Sequence, residues 1–333
     1  MVIKLLNNKI LIIILLALIV LVTSACVVSD EDVTKSNSNE GTFEQLASLV
    51  SGSDKSGEII LTKNYVNTDN YDENGINISA SNVVIKAEQG KDITIDANNA
   101  GRIFNANGTR NVTFENIKFI NANATGAGGA VVLGKEDNNK VVNCSFENCS
   151  SSEFGGALDG TAYNCSFKNC STVYHGGAIF EGSAMGCVFE ECYSTSCGGA
   201  ISYNSATNCN FTNCYAYWQG GALYQADAIN SKFVNCNASE GGSMYEGSAF
   251  GCFFEHSTAT NGSGGGIYQG TAIESKFTAC SVNGGEGSAM YGTNAINCDC
   301  PSDEAVNTHN DGNSGRYKFE DTYLSHIRMA LFQ

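Results

Sequence analysis

The chain has 333 residues, a formal charge of −16 and only 16% charged residues. The anionic balance argues against a nucleic-acid partner, whose affinity rests on Lys and Arg contacts to phosphate, and the low charged fraction argues against a long coiled coil or a charge-rich disordered chain. One proline against 37 glycines points to a backbone whose N–H groups are nearly all committed to a ladder.

Lys4 and Lys9 precede an unbroken apolar run, Ile10–Val22, followed by Thr23-Ser24-Ala25-Cys26. This is the order of a secretory signal, and the 13-residue run falls short of the ~20 residues that a bilayer span needs. Thr-Ser-Ala-Cys resembles a lipobox with Thr23 in place of the usual Leu. Residues 1–26 are therefore read as an export segment, with Cys26 as a candidate lipidation site and simple cleavage or an uncleaved anchor as alternatives. The expected location is the cell surface, with membrane contact only through this anchor. Residues 27–41 are polar and aperiodic, a tether.

Residues 42–303 carry the fold. Thr42-Phe43-Glu44-Gln45 has capping-box form ahead of Leu46, Leu49 and Val50, so a short helix is expected to close the N-terminal end. Strands follow at Glu58–Tyr65, Gly75–Ser79, Asn82–Ala87, Asp92–Ala97, Arg102–Asn105 and Asn111–Ile120, each with Ile or Val alternation. Gly-Gly pairs then recur from Gly128 through Gly155, Gly176, Gly198, Gly220, Gly241 and Gly264 to a degenerate copy at Gly287, with a period near 22. Counted from each pair from Gly176 onward, offset +3 is Ile, Leu or Met, +8 is always Ala (Ala184, Ala206, Ala228, Ala249, Ala272, Ala295), +11 is Cys or Ser, and +13 is Phe up to the Gly264 pair (Phe189, Phe211, Phe233, Phe254, Phe277). Offsets +9, +11 and +13 read as one buried face of a strand. Units this small are stable only when stacked. The repeat predicts an all-β parallel β-helix in which equal residues lie above one another. Over residues 58–300 the period gives about 11 coils, roughly 53 Å at ~4.8 Å per coil. In the tail, 304–333, Phe319, Tyr323, Ile327 and Leu331 recur every four residues, which suits a second capping helix.

The Gly-Gly-Ala-Ile and Asn-Cys-Ser-Phe-Glu-Asn units resemble those of the adhesin-like surface proteins of methanogenic archaea, and related motifs occur in chlamydial polymorphic outer-membrane proteins. The resemblance covers roughly residues 42–300. It implies a secreted, right-handed β-helix displayed at the cell surface. The chain departs from the family at Phe146-Glu147-Asn148-Cys149, where cysteine takes an asparagine slot, and in the tail, which matches nothing in the family.

Candidate chemistry lies in four sets of residues. Cysteines form two columns, Cys144, Cys165, Cys187, Cys209, Cys252, Cys298 and Cys149, Cys170, Cys192, Cys214, Cys236, Cys280, with serines substituting singly. The Cys-x4-Cys spacing is poor for a metal site, and parallel strands orient stacked Cβ atoms alike, so buried free thiols are favoured over disulfides. No cofactor is expected. At offset +4, Tyr224, Tyr245, Tyr268 and Tyr291 follow an inward position and should form an outward ladder, the candidate ligand-binding stripe. Tyrosine offers sugars an apolar face and a hydrogen-bonding tip; self-stacking that only stabilises the sheet is the alternative. Offset +5 (Glu181, Tyr203, Gln225, Glu246, Gln269) would line the same groove. Acids such as Glu147, Asp159, Glu190, Glu255 and Glu274 are isolated rather than clustered, and His175 and His256 stand alone. Eleven Asn-x-Ser/Thr sequons occur, of which Asn148 and Asn169 are expected in a turn ladder.

The resulting expectation is a non-catalytic, adhesin-like surface protein with a glycan or another cell as partner. A polysaccharide lyase or glycoside hydrolase, which the β-helix also hosts, and a structural envelope component are the alternatives.

Overall fold

A computed structural model describes residues 40–300 and 306–307, apart from 53, 69–70 and 135–137. The export segment with Cys26, the tether up to residue 39 and the expected C-terminal helix lie outside the described residues.

The sequence of one coil explains all of them. In the coil from Gly198, strands run over Ile201–Thr207, Asn210–Thr212 and Tyr215–Ala216. Between them the chain turns at Asn208 and Asn213, with φ +53° and +54°, and at Gly220, φ +64°. Asparagine and glycine are the residues that take left-handed backbone at least cost. Each strand pairs in parallel with its copy one coil away, which gives three long sheets: a first of 11 strands, a second of 18 and a third of 8. The Asn210–Thr212 strand belongs to the first, Ile201–Thr207 to the second and Tyr215–Ala216 to the third. The molecule is a parallel β-solenoid of about 11 turns.

Register follows the repeat. Ala162, Ala184, Ala206, Ala228, Ala249, Ala272 and Ala295 pair in succession. Phe119, Phe146, Phe167, Phe189, Phe211, Phe233, Phe254 and Phe277 stack at 4.6–4.9 Å between centroids and within 22° of parallel. The phenylalanine and alanine files, with the aliphatic file through Ile201, Leu223, Met244 and Ile267, fill the interior. The second glycine of each pair leaves no room for a side chain: a Cβ on Gly199 would sit 2.1 Å from the carbonyl oxygen of Gly221 on the next coil.

Three expectations are corrected. Offset +9 is not a buried face: Met185 is exposed and Thr207, Ile229, Phe250 and Ile296 are half-exposed, with Ile273 alone buried, while Ala184 and Ala206 at +8 are buried. The left-handed residue at +10 resets the alternation, so the inward face passes from +8 to +11. The predicted strand Asn111–Ile120 is two strands, Val112–Glu115 and Ile117–Ile120, broken at Asn116 (φ +57°) for the same reason. At the N-terminal end, helix α1 (Phe43–Val50) buries Phe43, Leu46 and Val50 in the core. Thr42 Oγ1 accepts from the Gln45 N–H at 3.3 Å, but the Gln45 side chain accepts from Lys63 Nζ at 2.9 Å. Only half of the capping box is thus engaged.

Sequence reasoning gave Arg102 no role, yet it is buried and its guanidinium donates to the carbonyls of Asn74, Thr125, Ala127 and Gly128 at 2.8–3.2 Å. It ties together loops of adjacent early coils where the repeat is least regular.

Candidate ligand-binding face

The second sheet bends between offsets +4 and +7. The residues at +5 cause the bend: Glu181, Tyr203, Gln225, Glu246 and Gln269 all have φ between +48° and +62°. Left-handed backbone at one position of five successive coils, on residues that are neither Gly nor Asn, costs roughly 1 kcal/mol or more per residue. Glu191, His256 and Ala279 hold the same backbone at another corner, so these residues mark where the coil turns.

Beside this bend stands the tyrosine column. Tyr224, Tyr245, Tyr268 and Tyr291 pair in direct register. Their ring centroids are 5.7, 5.0 and 5.1 Å apart and their planes within 27°. Each inner ring therefore has both faces covered by its neighbours, and the half-buried column leaves ring edges rather than ring faces open. The expected stacking of sugar rings on tyrosine faces is not available along the column's interior. A row of phenol O–H groups is what a ligand would meet.

The stripe extends further than the four tyrosines. Phe180 precedes Ser202 and Tyr224 in register, and Phe154 stacks on Phe180 at 4.6 Å. Tyr203 packs edge-on against both Phe180 and Tyr224.

Carboxylates flank the column. Gln225 Nε2 donates to Glu246 Oε2 at 2.6 Å, and Gln219 Nε2 donates to Glu240 Oε2 at 3.1 Å. Burial first, then the charges of Glu246 and Glu240, push Tyr245 up to about 12. Burial likewise raises Tyr203, Tyr224 and Tyr268, with Glu181, Glu246 and Glu240 respectively adding to the shift. These phenols stay protonated and act as donors throughout the physiological range.

The other candidate residues are structural. Cys165 shows how the first cysteine column fits: its Sγ accepts from the Cys144 N–H at 3.4 Å and donates to the Tyr163 carbonyl at 3.2 Å. Ser231 makes the same pair of bonds with Cys209 N–H and Ile229 carbonyl at 3.1 and 2.9 Å, which explains why serine substitutes singly. The described cysteines are free thiols. Burial raises Cys252 to about 12 and Cys280 to about 11, so these thiols are poor nucleophiles and poor metal ligands. Among the described residues no three His, Cys, Asp or Glu side chains gather as a metal site. In the turn ladder, Asn169 Nδ2 donates to Asn148 Oδ1 at 2.8 Å, which engages the nitrogen that a glycan would need.

A groove of about 1050 Å³ runs along the corner between the second and first sheets, under the loop Gln89–Gly90. Its lysines are already paired, Lys86 with Glu58 at 2.7 Å and Lys118 with Glu147 at 2.6 Å.

No family model matches the chain, and no curated protein matches it. Three solved structures are similar. ORF18 of Geobacillus virus E2 is 12% identical with a TM-score of 0.43, over 76% of this chain and 57% of that one. The A-module of the mannuronan C-5 epimerase AlgE4 of Azotobacter vinelandii is 13% identical with a TM-score of 0.34, over 73% and 86%. The catalytic domain of a GH87 alpha-1,3-glucanase, solved with tetrasaccharides, is 11% identical with a TM-score of 0.24, over 80% and 67%. The chain spans little more than half of the viral protein. Likeness at this level concerns the β-helix fold and nothing beyond it.

Proposed function

We propose that the chain is a non-catalytic, adhesin-like surface protein that binds glycans, on its own or a neighbouring cell, through the edge of its tyrosine column. The observation that carries this reading is the register-locked column of tyrosines Tyr224, Tyr245, Tyr268 and Tyr291, whose rings repeat at 5.0–5.7 Å between centroids beside Glu246 and Gln225. Such a row offers the same donor at regular steps, as a polysaccharide offers the same acceptors. Export and attachment through Cys26 would place this face outside the cell.

A glycan array tests the proposal with two variants. The triple substitution Tyr224→Phe/Tyr245→Phe/Tyr268→Phe keeps the stack and removes three hydroxyls. The corresponding triple alanine variant removes the stripe. The reading requires both variants to lose the same subset of the parent chain's array signals; a phenylalanine variant that keeps every signal of the parent chain would refute it. Release of shortened or unsaturated sugars from any bound polysaccharide would instead support the lyase or hydrolase alternative.

A further inference from the structure

The corner that leads from the third sheet back to the second carries exposed rings of another kind. Tyr174, Tyr217 and Trp218 are 50%, 54% and 55% exposed, and Trp218 is the only tryptophan of the chain. The backbone places Tyr174, Ser196 and Trp218 on three consecutive coils: the Cys197 N–H donates to the Tyr174 carbonyl at 3.1 Å, and the Trp218 N–H to the Ser196 carbonyl at 2.9 Å. Tyr174 and Trp218 thus stand two coils apart, ~9.6 Å along the axis. Each is braced by another ring, Tyr174 by Phe154 at 5.8 Å and Trp218 edge-on by Tyr217 at 4.9 Å and 87°. The coil between them contributes only Thr195 and Ser196 at this corner.

The setting defines the ligand. Thr195 Oγ1 donates to the Val173 carbonyl and Ser196 Oγ lies 3.5 Å from Cys197 Sγ, so the coil between the two aromatic residues offers hydroxyl oxygens as acceptors, a setting that suits a ring with apolar faces and a hydroxylated rim. None of the corner residues 171–175, 193–197, 215–219 or 237–240 is Lys or Arg. Two carboxylates flank this corner, Glu153 one coil before Tyr174 and Glu240 one coil after Gln219, and Glu240 accepts from Gln219. The charge pattern disfavours uronate or sulfated sugars and leaves a neutral one. We infer that Tyr174 and Trp218, with Thr195 and Ser196 beneath, form a clip for a single neutral pyranose unit of a glycan. The clip lies on a different residue column from the tyrosine ladder and stands or falls independently of it.

The single tryptophan makes the test direct. The emission of Trp218 in the full chain is followed during titration with neutral hexasaccharides of gluco, manno and galacto configuration, with hexagalacturonate as the anionic counterpart. A saturable change is expected with at least one neutral sugar and none with hexagalacturonate. Tyr174→Ala and the gap-filling Ser196→Phe should each weaken binding about ten-fold or more, with unchanged circular dichroism. Trp218 emission reads this corner, whereas the array comparison reads the tyrosine column, which separates the clip from the proposal above. The inference is overturned by no response to any neutral sugar, by an equal response to hexagalacturonate, or by unchanged affinity in the Tyr174→Ala chain. A concentration-dependent emission change without sugar would assign the patch to self-association instead and equally overturn it.

Discussion

The imidazole of His175 lies parallel to the ring of Tyr224, with 5.5 Å between centroids and 9° between planes, although Ser202 occupies the intervening place in register. The histidine bridges the one position of the aromatic stripe that lacks a ring, and it also lies parallel to Phe154 at 5.8 Å. Its Nδ1 is buried without a hydrogen-bond partner, and burial lowers its pKa below 6.5.

A neutral, half-buried imidazole takes up a proton as the pH falls. Its stabilising contribution is complete above the unfolded value of about 6.5 and is lost as the pH drops through the lower folded value. The parent chain should therefore lose thermal stability between pH 7 and pH 5 relative to His175→Phe, which keeps a ring and removes the titration. Melting curves of the two chains across this range provide the measurement; parallel curves would contradict the role given to His175.

Tyr245 carries the opposite sign. Its folded pKa of about 12 exceeds the unfolded value of about 10, so its contribution is intact below pH 10 and disappears as the pH rises through 12. Tyrosinate absorbance should show a group of phenols titrating late in the folded chain and normally after denaturation. Tyr245→Phe should reduce the late-titrating absorbance.

The left-handed column at +5 ends in a glycine, Gly292 (φ +59°). Gln269, one coil earlier at φ +53°, holds the same backbone with a side chain attached. Gln269→Gly should leave the fold unchanged and be neutral or stabilising by about 1 kcal/mol. Denaturant titration measures it, and a clear loss of stability would show that the Gln269 side chain contributes more than its backbone strain costs.

Interior files differ in tolerance. Phe211 has a ring stacked on each face, at 4.8 Å from both Phe189 and Phe233, so Phe211→Ala should cost about 3–5 kcal/mol. Cys209→Ser should cost about 1 kcal/mol or less, because Ser231 already makes the same bonds one coil later. Urea midpoints of the two variants test the ranking.

The repeat was legible because every coil uses nearly the same length of chain. Equal residues at equal offsets had to lie in files, and Ala206 over Ala184 and Phe211 over Phe189 follow from counting alone. Orientation at the corners was not legible. A single left-handed residue such as Asn208 switches which parity faces inward, and nothing in the alternation of Thr207, Cys209 and Phe211 marks that switch. The tyrosine column was readable as a column, but the covering of ring faces by their neighbours depends on side-chain rotamers that sequence does not report. Trp218 belongs to one coil only, so the column pattern carries no trace of it. Its signal was local: two adjacent aromatics, Tyr217 and Trp218, just ahead of a Gly-Gly pair in a chain with no other tryptophan.

Gly198 and Gly220 open coils of equal cross-section, each joined to its neighbours by the same carbonyl-to-amide contacts. Removal of residues 198–219 as a block would set the Gly220 coil on the Cys197 end with matching walls. The breadth of this protein is dictated by its alanine and phenylalanine files, while its reach can grow or shrink by whole turns through duplication or excision, with no new contact to invent.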